Sequence, residues 1–133
     1  MNVTNRIQLS VANSPSAVVL RSDLLRFGSA AQVSRALIQL TAKGRLVRLG
    51  MGVYAKAKPS VLSGNPIPVK PLEVLAPEAL RRLGVDVQPS RLARDYNAGR
   101  SSQIPVGVVV NIGRQRVSRK LEFNGKIVQY ESA

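Results

Sequence analysis

The sequence predicts an α+β protein built from two folded parts. In residues 1–58, apolar residues at helical spacing alternate with short β-like runs, whereas the strongest patterns in residues 72–133 are those of strands. Residues 59–71 are rich in proline and are predicted to form a linker. The 133 residues, 44% of them hydrophobic, are enough to build a core from aliphatic side chains.

The first predicted helix covers residues 2–12, because Val3, Ile7 and Val11 recur every four residues on one face. A short β-like run follows at residues 17–20. We therefore expect the chain to open with a helix that packs through one face and then to enter a strand.

Two further helices are predicted on either side of a tight turn. Ser22 is the expected N-cap of a short helix over residues 23–27, which stops at Gly28. Ser29 is the expected N-cap of the next helix, which ends at Gly44. The apolar stripe of that helix consists of Val33, Ala36, Leu37 and Leu40. The opposite face carries Gln32, Arg35, Gln39 and Lys43, with Ile38 to one side.

A β-hairpin is predicted directly after this helix. Residues 46–49 and 53–55 are short strands, and the Gly-Met-Gly run at residues 50–52 is a plausible turn between them.

The sequence pattern of residues 72–133 predicts a small α/β domain with antiparallel strands. A helix is expected over residues 72–83, where Pro77 either divides it or begins it. Weaker signals predict a strand at residues 85–87 and a helical turn at residues 90–96. The clearest strand and turn signals come last, at residues 105–112, at residues 115–123, at the Asn124-Gly125 turn and at residues 126–130.

The net charge of +13 indicates a polyanionic partner, most often nucleic acid. A membrane surface and an acidic protein are the alternatives. Residues 1–58 contain nine basic residues and one acid, a net charge of +8, whereas residues 59–133 contain eleven basic residues and six acids, a net charge of +5. The first part is therefore the better candidate for the binding surface.

The element order in the first part, helix, strand, helix, turn, helix and hairpin, is that of a winged helix-turn-helix. The helix after the turn, which Ser29 caps, would present polar side chains to base edges. The hairpin would bring cations to phosphates. The candidate DNA-binding residues are Ser29, Gln32, Arg35, Gln39, Lys43, Arg45, Arg48, Lys56 and Lys58. The alternative is that these side chains form a solvated helix face and a hairpin edge, and that Arg35 pairs with Asp23 as a structural bridge.

A family resemblance rests on the same segment. The residues that carry it are Asp23-Leu24, Gly28-Ser29, Val33, Arg35-Ala36-Leu37, Leu40, Gly44, Leu46, Arg48-Leu49 and Gly52-Val53-Tyr54, together with the run at residues 97–105. They resemble the N-terminal winged-helix domain, and the segment leading into a second small domain, of the AbiEi-type antitoxins of type IV toxin–antitoxin systems.

The resemblance implies a transcriptional autoregulator of a toxin–antitoxin system. Its N-terminal domain would bind double-stranded operator DNA, and its C-terminal domain would assist repression or oppose a nucleotidyltransferase-like toxin. Regulators of this class often use two DNA-contacting units, so a homodimer is also open. Two other functions remain: a general nucleic-acid binder, for RNA as well as DNA, and a basic interaction protein that neutralises a toxin.

The C-terminal part contains a second basic patch, formed by Arg114, Arg116, Arg119 and Lys120. These cations would either extend the surface that contacts nucleic acid or keep an exposed strand edge from pairing with another chain.

Composition argues against an enzyme and against a cofactor. The chain contains no histidine and no cysteine, and it has no phosphate-binding glycine loop. Asp95-Tyr96-Asn97 is the only cluster with acid–base character. Without histidine or cysteine, no metal site is expected. No transmembrane segment or signal peptide is recognisable, so we expect a cytoplasmic protein without a membrane partner.

Overall fold

The computed structural model describes residues 2–88 and 108–132. It is an α+β structure, as predicted, and it divides into two compact units, Met1–Pro71 and Leu72–Ala133. The helical turn predicted at residues 90–96 and the start of the strand predicted at residues 105–112 lie outside the described residues.

The first unit contains three helices and four strands within its described residues. In chain order they are α1 (Val3–Asn13), β1 (Val18–Leu20), α2 (Arg21–Leu24), α3 (Ala30–Ala42), β2 (Leu46–Gly50), β3 (Val53–Pro59) and β4 (Pro66–Pro68). A single 3-10 turn, Leu25–Phe27, follows α2 directly.

The core of the first unit lies where α1 and α3 pack on the sheet. Ile7 of α1 is fully buried, and Val3 and Val11 pack beside it, which confirms the predicted face of α1. The core cluster consists of Ile7, Val19, Leu24, Val33, Ala36, Leu37, Leu40 and Leu46. Burying each large aliphatic side chain contributes about 1.5–3 kcal/mol, so this cluster fixes the position of α3.

The start of α2 differs from the prediction. The predicted cap, Ser22, lies inside the helix, because α2 begins at Arg21, and Leu20 at the N-cap provides no side-chain hydrogen bond. The backbone N–H of Arg21 instead donates to the carbonyl oxygen of Gly52 at 2.9 Å. Because β1 passes straight into α2 beside the hairpin, sheet pairing satisfies one of the backbone donors that the first turn of a helix leaves without an intrahelical partner.

The sheet of the first unit is antiparallel, with the order β1-β3-β2. In the register, Val18 lies opposite Ala55 and Val47 also lies opposite Ala55 from the other side. The hairpin predicted around residues 50–52 is confirmed, and its turn includes Gly52 at φ +72°, a left-handed conformation that glycine adopts without strain.

The proline-rich residues 59–71 do not form a separate linker in this structure. β3 continues to Pro59, and β4 pairs with it antiparallel, with Lys58 opposite Ile67. Proline lacks an N–H donor but is tolerated on an edge strand, which explains how the segment Pro66–Pro68 joins the sheet despite its composition. These residues therefore belong to the first unit.

The second unit contains α4 (Leu72–Arg82), β5 (Val108–Gly113), β6 (Glu122–Phe123) and β7 (Lys126–Ser132), and α4 is continuous through Pro77. Its sheet has the order β5-β7-β6. The predicted antiparallel arrangement is wrong for β5 and β7, which are parallel, and it holds for β6 and β7.

Three local predictions in the second unit have different outcomes. The turn at Asn124-Gly125 is confirmed, with φ values of +50° and +79°. Residues 85–87 form no strand, and only the next residue, Gln88, makes an isolated bridge to Asn111. Of residues 115–123, only Glu122–Phe123 are in a strand, so the weak alternation there does not correspond to a full strand.

Candidate nucleic-acid interface

The N-terminus of α3 is held by a reciprocal capping box. The Ser29 hydroxyl accepts a hydrogen bond from the backbone N–H of Gln32 at 3.2 Å, and the Gln32 amide oxygen accepts one from the backbone N–H of Ser29 at 2.9 Å. Gly28 permits this arrangement, because a Cβ there would lie 2.7 Å from Oε1 of Gln32. The structure therefore gives both Ser29 and Gln32 a role in helix capping as well as a place on the exposed surface.

Gln39 is engaged by α1. The hydroxyl of Thr4 donates to Oε1 of Gln39 at 2.9 Å. The first turn of α1 and the side of α3 form a shallow groove lined by Asn2, Val3, Thr4, Gln32, Arg35 and Gln39. No local sequence pattern signals this contribution of α1, because the contact joins residues that are 35 positions apart.

Arg35 is exposed at the edge of this groove. No ion pair joins it to Asp23 in the part of the chain that the structure describes, so the structural bridge considered from the sequence is absent there. Arg35 forms no hydrogen bond within those residues either. Its guanidinium group is thus available as a donor to an external acceptor.

Arg21 is the residue that connects α2, α3 and the hairpin. Its Nη2 atom donates to the carbonyl oxygen of Ala30 at 3.2 Å and to Oγ of Ser34 at 3.1 Å, while its backbone N–H binds Gly52. This cation is not among the predicted site residues. Its role follows from the pairing of β1 with β3, which no local sequence pattern specifies.

The cations near α3 form two groups. The turn group is Arg21 and Arg48, and the Nε atom of Arg48 donates to the carbonyl oxygen of Gly50 in the hairpin turn at 3.2 Å. The helix-end group is Lys43, Arg45 and Lys58. Lys43 is the C-cap of α3, and the backbone N–H of Arg45 donates to the carbonyl oxygen of Leu40 at 2.9 Å. Arg21 therefore contacts the N-terminal half of α3, whereas Lys43 and Arg45 lie at its C-terminal end.

Lys56 and Lys58 lie on the distal half of β3 and not at the hairpin turn. Lys58 is five residues beyond Val53, or about 16 Å along an extended strand. Lys56 is half-buried, and its Nζ atom donates to the carbonyl oxygen of Ser14 at 2.5 Å. Lys56 thus holds the C-terminal end of α1 against β3, whereas Lys58 is exposed.

The predicted second patch lies between β5 and β6 in the second unit. Arg114, Arg116, Arg119 and Lys120 are all exposed. The backbone carbonyl of Arg119 accepts a hydrogen bond from the Tyr130 hydroxyl at 2.5 Å, and Lys120 lies 3.9 Å from a carboxylate oxygen of Glu122. Asp95-Tyr96-Asn97 and the run at residues 97–105 lie outside the described residues.

Among the described residues of the second unit, two ionisable groups have shifted pKa values. A hydrogen bond from Lys126 lowers the pKa of Glu73 below 4.5, against a smaller opposing effect of burial. Burial raises the pKa of Tyr130 above 10.0, although the charge of Arg119 acts in the other direction. Neither group lies in the first unit, so neither shift concerns the surface around α3.

Among residues 2–88 and 108–132, no three acidic side chains come together in a way that could hold a metal ion. No helix within the same ranges combines the length and hydropathy that a membrane crossing requires.

Comparisons with known proteins identify a family and a fold. A model described as a family of unknown function (DUF6088) matches residues 6–129, so the chain belongs to that family. No curated protein sequence matches. The crystal structure of the RV2827C protein from Mycobacterium tuberculosis is similar, with a TM-score of 0.61 at 16% identity. The match covers 98% of this chain but 45% of that protein, so it supports a shared fold and nothing about activity.

Proposed function

We propose that this chain, a member of a family whose function is unknown, is a DNA-binding transcriptional regulator that contacts operator DNA with α3 and the β2–β3 hairpin. The proposal interprets the first unit as a winged helix-turn-helix. It is supported by the element order α1, β1, α2, α3, β2, β3 and by the antiparallel sheet order β1-β3-β2.

The observation that carries the proposal is the exposed face of α3 beside two groups of cations. α3 has 13 residues and is therefore about 20 Å long, which suits a helix lying in a major groove. Its buried stripe fixes it to the core, so its other face is presented to the outside as a rigid surface. The turn group and the helix-end group would then contact the phosphates on either side of the groove.

The charge of the whole first unit favours the same partner. Residues 1–71 contain ten basic residues and one acid, so the unit carries a net charge of +9. A surface of this kind attracts a polyanion and releases counterions from it, which makes the affinity strongly dependent on salt.

The more specific role that we propose is that of an antitoxin-like autorepressor acting in the cytoplasm. It is supported by the sequence resemblance of residues 23–54 to the AbiEi-type antitoxins. On this proposal a nucleotidyltransferase-like toxin is the protein partner, and a homodimer would place two copies of α3 on one operator. A gene for such a toxin beside the gene for this chain is the expected genomic context.

Two alternatives predict different binding behaviour. A general nucleic-acid binder would grip only the backbone, of RNA as well as DNA, and would show a steep salt dependence without sequence preference. A basic interaction protein would bind an acidic toxin tightly and DNA only weakly.

The test is a binding titration of the full chain with the DNA upstream of its own gene and with a scrambled duplex of equal length and composition. A sequence-specific regulator should prefer the upstream duplex by at least about tenfold near physiological salt. Equal affinity for both duplexes would support the backbone binder, and the absence of measurable affinity for either would overturn the proposal.

A further inference from the structure

We propose that Ile38 makes α3 a reader of thymine, through contact between its side chain and the 5-methyl group that thymine presents in the major groove. This inference rests on the proposed function, because it requires α3 to lie in that groove. It assigns sequence discrimination to an apolar residue and not to the two glutamines on the flank of the helix.

Ile38 is a large apolar side chain on the outermost line of α3. It is 68% exposed, although the residues on both sides of it in the sequence, Leu37 and Gln39, face the core and the α1 flank respectively. Because side chains at spacings of three and four share one face of a helix, the outermost line contains Ala31, Arg35, Ile38 and Ala42. All four are exposed.

The polar residues on both flanks of this line are already bound within the protein. On one flank, Gln32 accepts from the Ser29 backbone and Gln39 accepts from Thr4; on the other, Ser34 accepts from Arg21. A bidentate contact with adenine needs a glutamine oxygen as an acceptor as well as an amide N–H as a donor. Either glutamine would have to share an oxygen that is held by another part of the chain.

The outermost line has a simple chemical character. Ala31 and Ala42 are short, so Arg35 and Ile38 are its only long side chains and project furthest toward a bound groove. They lie three residues apart, or about 4.5 Å along the axis, a distance between one and two base-pair spacings of about 3.4 Å. A guanidinium group can donate to guanine or to a phosphate, and an aliphatic group suits the only base that presents a methyl group in the major groove.

A single exposed apolar residue is common on protein surfaces and needs no function in itself. What distinguishes Ile38 is its place on the same exposed line as Arg35, on a helix that Arg21 contacts at its N-terminal half and that ends at Lys43. The charge around it selects a polyanion as the occupant of this face and disfavours an apolar protein partner.

The test begins by selecting duplexes from a random pool with the full chain. In the best duplex, each thymine is replaced singly by deoxyuridine, which removes only the methyl group, and the affinity is measured by fluorescence anisotropy. The same series is repeated with Ile38→Ala and with Val61→Ala. Val61 is fully exposed and lies outside α3, so it is a matched control for the removal of exposed apolar surface.

We expect one or two of the replacements to weaken binding by about fourfold each, the factor that corresponds to one methyl group withdrawn from water. That sensitivity should disappear in Ile38→Ala and persist in Val61→Ala. Ile38→Ala should remain folded, which a thermal melt checks, because alanine favours helix more than isoleucine does.

The possible failures are distinguishable. If the selection enriches no sequence, the proposed function itself is wrong, and the inference is wrong with it. If a sequence is enriched but duplexes with deoxyuridine bind as tightly as those with thymine at every position, the proposed role of Ile38 is wrong and the proposed regulatory function is retained. The same conclusion follows if Ile38→Ala keeps the full sensitivity to the replacements.

Discussion

At the level of single residues, the polar side chains at the start of α3 have structural partners. Ser29 could be predicted as an N-cap from its position after a glycine turn, and the structure confirms it. The pattern of Ser29 followed three residues later by Gln32 is also a capping-box signal. The partner of Gln32 could therefore be predicted from the sequence as well.

Arg21 is the opposite case, since nothing near it in the sequence predicts its contacts. Its hydrogen bonds to α3 and to Gly52 depend on how β1 pairs with β3. Periodicity identifies which face of an element is buried, but it does not specify which distant residues meet across a sheet.

The first prediction is that Gln32→Ala lowers the stability of the protein and leaves its preference among DNA sequences unchanged. Removing one half of the capping box should cost about 0.5–1 kcal/mol, measured by urea unfolding. Gln32→Glu is the matched control, because glutamate can make the same bond to the Ser29 backbone. A stability equal to that of the parent would show that the capping bond contributes nothing.

Among the secondary-structure elements, those whose limits are marked locally could be predicted from the sequence. α1, α3 and the β2–β3 hairpin have clear apolar spacing and glycine or serine boundaries, and the structure confirms them to within a few residues. β4 was not predicted, because its prolines argue against a strand unless that strand lies on a sheet edge. The parallel pairing of β5 with β7 was not predicted either, because tertiary packing and not local sequence decides which strands pair.

The second prediction concerns the hairpin and the end of α3. The double variant Arg45→Ala/Arg48→Ala should weaken binding to every duplex alike, because both cations would contact phosphates. The slope of the logarithm of the association constant against the logarithm of the salt concentration should fall in magnitude by about 1.8. Each phosphate that a cation no longer neutralises reduces this slope by about 0.9.

The matched double variant Arg114→Ala/Arg116→Ala removes the same charge from the second patch. An unchanged salt slope would show that this patch is a solvated surface, and a slope reduced to the same extent would extend the footprint to the second unit. If Arg45→Ala/Arg48→Ala binds DNA as the parent does, the hairpin is not part of the interface.

The third prediction concerns the contact between α4 and β7. Because the pKa of Glu73 is lowered in the folded protein, its ion pair with Lys126 contributes stability above about pH 4.5 and loses it as the pH falls through the lowered value. Both side chains are nearly half exposed, so solvent screening limits the contribution to about 0.5 kcal/mol.

Glu73→Gln should therefore destabilise the protein near pH 7, and its difference from the parent should shrink as the pH falls through the lowered pKa of Glu73, as measured by thermal unfolding. Glu122→Gln is the control, because Glu122 is 3.9 Å from an exposed Lys120 and should show little difference over the same pH range. A Glu73→Gln variant as stable as the parent at pH 7 would contradict the prediction.

Over the whole molecule, the two units differ in charge. The unit Met1–Pro71 contains a single acid, whereas Leu72–Ala133 contains six acids beside its ten basic residues. This asymmetry is visible in the sequence, and it is the reason that the proposed interface is placed on the first unit. Which side chains are engaged internally, and which remain on the outermost line of α3, is visible only in the structure.

If the chain is the regulator proposed above, the outward face of α3 and the adjoining hairpin contact DNA. This can be measured by titrating the isotopically labelled full chain with its selected duplex and following the backbone amides by NMR, for which a mass of 14.3 kDa is suitable. We expect the largest shift changes at residues 30–52, with smaller changes in the second unit. Changes confined to residues 108–132, or no changes in α3, would contradict this assignment of the interface.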